Sequence, residues 1–244
     1  MGLLRVKAIS IQWTGEVEPW EAETVVSTLA HIQEIIMVLG RCAGFSISRG
    51  QLRPFGTWVL QDAPENSPYS STLWYVQQSL DSNTGQISGQ RFLEVIRQEP
   101  WQQASPHHDL AVVHQDLVDS PIGNPVDESD PYVLSSFVPD LGAVLSVRRL
   151  RTLQNEVQRR QALRRLTLSA FGQVLQLPGP TRTENVIEIQ GARWCANRCV
   201  LRHAADTATM LNLAVEEENE RTIFCPQCTN DLLDHTVATH FSPN

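Results

Sequence analysis

At 244 residues, 41% of them hydrophobic, the chain can bury one large core or two small ones. A formal net charge of -8 argues against the broad basic surface on which general nucleic-acid binding rests. No run of about 18 apolar residues is present, so no membrane span is expected.

The N-terminal MGLLRVKAISIQW carries Arg5 and Lys7 inside its apolar run and lacks a small-residue cleavage site, so it reads as a strand and not a signal peptide. The cytoplasm is the expected compartment. Leu3 to Trp13 is β-prone, a buried first strand. From Pro19 to Leu39 apolar residues recur at three and four, as in an amphipathic helix with proline at its start. Phe45 to Ile47 is a second strand, and strand, helix, strand in this order suggests a parallel βαβ unit. Gly50 to Ser71 and Asp81 to Gly89 are turn-rich. A helix is expected over Ser88–Gln98, a third strand over Leu110–His114, a proline-bearing loop over Asp116–Asp140 and a fourth strand over Ala143–Val147. The longest helical pattern, Thr152 to Leu177, is stopped by Pro178 and Gly179. A short strand at Val186–Ile189, a helix at Asp206–Arg221 and a last helix after Cys228 complete an α/β chain.

Four of the five cysteines form two close pairs, Cys195-x3-Cys199 and Cys225-x2-Cys228. Each pair can aim two thiolates at one centre, and two pairs brought together supply the four ligands of a tetrahedral structural zinc. Two disulfides are the competing arrangement, although nothing else in the chain looks secreted. A redox Cys-x-x-Cys would follow an early strand, whereas Cys225 and Cys228 lie near the C-terminus. Cys42, alone beside a helix, reads as a small buried apolar residue.

A mixed sheet leading into AVLSVRRL, then a long helix, then a cysteine cluster resembles the archaemetzincins, a family of metzincin-like zinc peptidases. Their pattern is a helical His-Glu-x-x-His-x-x-Gly-x-x-His followed at once by a cysteine, then a second cysteine, x-Met and Cys-x-x-Cys. In the family the first set holds a catalytic zinc and the cysteines a structural one. The likeness spans Leu3 to Leu233 and is most specific from Ala143 onward. Within LTLSAFGQVLQLPG the two ligand histidines would fall at Ser169 and Gln173 and the general base at Ala170. Gly172 matches a glycine common there, and the motif glycine falls at Gln176. The third ligand lands at Gly179 by count, or at Trp194 if adjacency to the first cysteine is kept across a longer Pro180–Arg193 connection. The Met-turn methionine would fall at Leu201. The spacing of the first two cysteines is three residues here against four in the family, and the interval from Cys199 to Cys225 is longer.

The resemblance implies a metzincin-like mixed twisted sheet with flanking helices and a long central helix. Residues 1–179 would form the α/β part ending in that helix, and 180–244 a small zinc-knuckle subdomain built on the four cysteines. Ser169 and Gln173 are poor ligands and Ala170 cannot take a proton from water, so no catalytic zinc is expected. Ser169 and Gln173 should then face an emptied cleft, with Ala170 beside them. The implied function is that of a pseudo-peptidase with one structural zinc, binding a protein or peptide or serving as a scaffold. One rival is an active hydrolase drawing ligands from His107, His108 or His114, which could form a metal site with Asp109 or Asp116, although these histidines read as surface or linker residues. Another is a zinc knuckle binding nucleic acid through the arginines between Arg148 and Arg165. Those arginines otherwise form the solvated side of the long helix, part of it facing Glu216, Glu217, Glu218 and Glu220. His203 is a spare fourth ligand, and His235 and His240 read as mobile surface.

Overall fold

The computed structural model describes residues 3–61, 63–64, 67–118, 132–189, 191–220 and 223–240. In chain order the elements are β1 (Leu3–Arg5), β2 (Ile9–Trp13), α1 (Pro19–Cys42), β3 (Ser46–Ser48), β4 (Leu52–Gly56) and α2 (Thr72–Ser79). Then come β5 (Ile87–Ser88), α3 (Gly89–Arg97), α4 (Pro100–Ala104), β6 (His108–Val113), β7 (Leu117–Val118), β8 (Ser135–Val138) and β9 (Gly142–Ser146). A 3-10 turn at Arg149–Thr152 leads into α5 (Glu156–Val174), β10 (Val186–Ile189), β11 (Ala192–Cys195), α6 (Thr207–Glu220) and α7 (Pro226–His240).

The central sheet has the order β4-β2-β6-β9-β8. The first four strands are parallel and β8 is an antiparallel edge. The βαβ unit therefore exists, but its second strand is β4; β3 pairs with β1 in a separate parallel ribbon. β4 was hidden by Pro54 and Gly56, residues that an edge strand tolerates and a central strand does not. β6 sits in the middle of the sheet and is buried at all six positions, as a parallel strand covered on both faces should be.

Alternation divides the core in two. Ile9, Ile11, Leu110, Val112, Ala143 and Leu145 face α1 and α5. Ala111, Val113 and Val144 face Tyr75 on α2 and Phe92, Leu93 and Ile96 on α3. α1 begins with Pro19 and a reciprocal Glu18–Glu21 capping box, and it buries the stripe Val25, Leu29, Ile32 and Ile36. By length and composition this helix could cross a membrane, yet 44% of its most apolar 18-residue window is buried inside the fold. The core shows no break at 179: Cys195, Cys199, Leu201, Met210 and Leu232 belong to the same cluster as α1 and α5.

Candidate metal centre

The cysteines are brought together by two local devices. The β10–β11 hairpin ends at Cys195, and the chain then folds back on itself. Cys195 N donates to Leu201 O (3.0 Å), Arg202 N to Cys199 O (3.0 Å) and Val200 N to Ile223 O (2.9 Å). Cys225 stands immediately before α7, whose first residue, Pro226, lacks a donor the helix end does not need. Cys228 follows in the first turn, where the helix N-terminus favours negative charge.

All four cysteines are buried. Their sulfurs lie within 4.8 Å of one another, and Cys195 and Cys225 are 3.7 Å apart. Zinc–sulfur bonds of about 2.3 Å place tetrahedral sulfurs about 3.8 Å apart, so the set fits a metal such as zinc. A disulfide needs about 2.05 Å. All five cysteines are free thiols, so the disulfide arrangement is not adopted.

The surroundings suit thiolates. Four of them around a divalent ion leave two negative charges, and Arg182 Nη1 lies 3.3 Å from Cys228 Sγ while also binding Asp231 at 2.8 Å. Asn197 Nδ2 is 3.5 Å from Cys225 Sγ. Hydrogen bonds from Cys199 and Cys228 hold the Cys195 thiol down to about 2. In return, sharing with Cys195 pushes Cys199 up to about 12 and Cys228 higher still. A cation bound among the four sulfurs would draw off the thiol protons.

The long helix is arranged differently from its expected cleft. Ser169, Ala170 and Gln173 are 4, 2 and 5% exposed. Gln173 Nε2 donates to Arg193 O at 2.7 Å, so the Pro180–Arg193 connection covers this face. A cleft of about 310 Å3 at the C-terminal end of α5 is lined by Gln176, Gly179, Pro180, Asp231 and His235 among others, but not by Ser169 or Gln173. Both positions for a third ligand serve packing: Gly179 N donates to Asp231 (2.9 Å), and the Trp194 ring meets Phe137 and His203 edge-on. His203 is therefore packed edge-on to Trp194, and the four cysteines stand without it. Leu201 is fully buried against α5, where a Cβ added at Gly172 would come within 2.5 Å of its Cδ2.

Other candidates also changed place. His107 and His108 are buried, because β6 is the central strand; His108 packs edge-on to Phe171. Among the described residues neither His108 nor His114 joins a ligand cluster, whereas His107 meets Asp109 and Glu99, a partner that sequence inspection missed. Cys42 is exposed, being the last residue of α1. His235 is packed 3.7 Å from Asp140. The arginine run is largely engaged within the fold: Arg148 and Arg149 with Asp116, Arg151 with Glu21 and Arg165 with Glu217. Gln161 and Arg202 also reach the acidic face of α6.

No protein-family model matches the chain, and no curated protein matches it. The reading of its function rests on the residues themselves.

Proposed function

We propose that the chain is an archaemetzincin-like protein that has lost its catalytic metal set. It holds one structural zinc at Cys195, Cys199, Cys225 and Cys228 and acts by binding an extended protein or peptide segment. The observation that carries the loss of catalysis is the Gln173–Arg193 bond. The polar group at a would-be ligand position is spent on backbone, under cover and beside Ala170, so the face offers neither a ligand set nor a base. The meeting of Leu201 with Gly172 supports the resemblance, since the residue at the Met-turn position packs directly on the helix. Reduced thiols around zinc suit a cytoplasmic setting.

The sheet edge supports the binding role. In the β8–β9 pair, Ser146 N donates to Leu134 O, which turns the backbone groups of Ser135 and Phe137 away from β9. Among the described residues these outward groups have no backbone partner, and an extended peptide can add to such an edge by main-chain hydrogen bonds.

Ser135→Pro removes one outward donor while leaving the bonds to β9 in place. In a peptide-library binding assay the unaltered protein is expected to retain extended peptides uncut, and Ser135→Pro to lose them. Cleavage abolished by a chelator and unaffected by Cys228→Ser would overturn the reading.

A further inference from the structure

The core between the sheet and α2–α3 holds a polar cluster remote in sequence from the cysteines. Glu99 precedes α4, His107 immediately precedes β6, and Asp109 is on β6 itself. They are 1, 4 and 2% exposed, and one ligand atom from each lies within 4.8 Å of the others.

The orientation of His107 is fixed from three sides. The Gln102 carboxamide clamps its backbone, accepting from His107 N (2.9 Å) and donating to His107 O (2.8 Å). His107 Nδ1 lies 2.8 Å from Ser105 O. A carbonyl only accepts, so Nδ1 carries the hydrogen and the neutral ring presents a lone pair at Nε2. That atom faces Asp109 Oδ2 at 3.5 Å. Burial lowers the His107 pKa, which favours the neutral ring. Glu99 Oε1 accepts from the Tyr75 hydroxyl, which steadies the carboxylate from outside. Glu99 Oε2 and Asp109 Oδ2 are buried with no hydrogen-bond partner. Three acceptors thus converge in a buried centre where Tyr75 and Trp101 reach Glu99 alone, a costly arrangement unless protons or a cation occupy the centre.

We propose that Glu99, His107 and Asp109 form a second divalent-cation site of zinc type, pinning the α3–α4 junction to the central strand. Two carboxylates and a neutral imidazole around a divalent ion make a neutral centre, which is the form that burial tolerates. Zinc bonds of about 2.0–2.2 Å to nitrogen and oxygen set ligand atoms about 3.4 Å apart, close to the His107–Asp109 separation. A fourth position is left for a second carboxylate oxygen or a water. The site does not depend on the pseudo-peptidase reading, because counting metal says nothing about peptide binding.

The experiment saturates the full chain with zinc, removes loosely held metal by desalting and counts the ions retained. Two per chain are expected in the unaltered protein, falling to one in Asp109→Asn and in Glu99→Gln. After cobalt replaces zinc, both variants should keep the thiolate-to-cobalt absorption of the cysteine site and lose the weaker signal of an oxygen- and nitrogen-bound ion. A single ion in the unaltered protein, bound by thiolates, overturns the proposal and leaves protons in the cluster. Two ions undiminished in both variants also overturn it, since the second would then lie elsewhere. Should neither variant fold, the cobalt-loaded unaltered protein decides. A desalting-resistant second cobalt without thiolate absorption supports the site, and thiolate absorption alone refutes it.

Discussion

The buried polar stripe of α5 and the cysteine cluster packed behind it handle the same problem in opposite ways. Arg165 and Gln173 lie along one side of the helix, two turns apart, with Ser169 midway. Arg165 donates to Arg202 O (3.0 Å) and pairs with Glu217 (3.0 Å), and Gln173 donates to Arg193 O. Every one of these partners belongs to the segment that carries the cysteines. The stripe is complete as folded. The sulfurs, by contrast, have mainly one another, with Arg182 and Asn197 at the margin. A guanidinium or carboxamide finds a carbonyl anywhere along a backbone, whereas thiols are weak donors and weaker acceptors. Four thiols packed together become strongly held only when a metal turns them into thiolates. One region is closed by the chain itself, and the other has the geometry that a metal could close.

The sharpest way to break this contrast is Cys228→Ser. Structural zinc in small domains contributes about 10–16 kcal/mol of apparent binding free energy, all of it linked to folding. The variant should lose its cysteine-bound zinc and show a larger fall in melting temperature than any of the substitutions that follow, matched by chelation of the unaltered protein. Identical melting curves with and without zinc would show that the cluster, too, is complete by itself.

Next in size is Arg165→Leu. Arg165 is 2% and Glu217 8% exposed, so the change leaves a buried carboxylate with only the longer contact to Arg202 (3.4 Å), at a cost of about 3 kcal/mol. Burial pushes Glu217 up and Arg165 down, so desolvation outweighs their mutual attraction. Replacing both, Arg165→Leu with Glu217→Leu, should therefore recover most of the loss in urea unfolding. A double variant as unstable as the single one would mean that the ion pair, and not the stranded charge, carries the stability.

Gly172→Ala sharpens the comparison at the point where the two regions touch. The added methyl meets Leu201 at 2.5 Å and should cost about 1–3 kcal/mol by overpacking. In a Leu201→Ala background the same change should cost less, and the double-mutant cycle measures the coupling. Additive effects would place the strain elsewhere.

The smallest effect concerns pH. Burial holds His235 below its ordinary value in spite of nearby Asp140, so the folded chain takes up this proton later than the unfolded chain does. Stability should therefore be full above about pH 6.5 and fall as pH drops toward the lowered folded pKa. His235→Gln should flatten that part of the stability profile, and an unchanged profile would remove His235 as the source.

The elements with strong periodicity or strong punctuation were readable in advance. α1, α3, α5 and α6 lie where apolar spacing, Pro19, Ser88 and the Pro178–Gly179 stop indicate, α7 starts at Pro226 and so takes in Cys228, which was expected to precede it, and β2, β6 and β9 follow their apolar runs. Seven elements were not visible: β4, α2, β5, α4, β7, β8 and β11. β4 contains a proline and a glycine, α2 is eight residues with its cap at Ser71, and β8 is four residues inside a loop-like stretch. Each depends on neighbours that short-range pattern does not encode.

The same division holds for the sites. The four cysteines announce themselves because a zinc pair is a local turn, and turn geometry is written in spacings of two and three residues. The closure of α5 rests on a carbonyl 20 residues further along the chain, and Glu99 reaches His107 and Asp109 only because the α3–α4 junction folds back against the start of β6. By itself the sequence determined the two cysteine pairs and the long helix. The tertiary structure alone decided that the face of this helix is covered and that Glu99 joins His107 and Asp109, all buried, in the other core. Burial and long-range hydrogen bonding depend on which segments meet, and no local spacing carries that information.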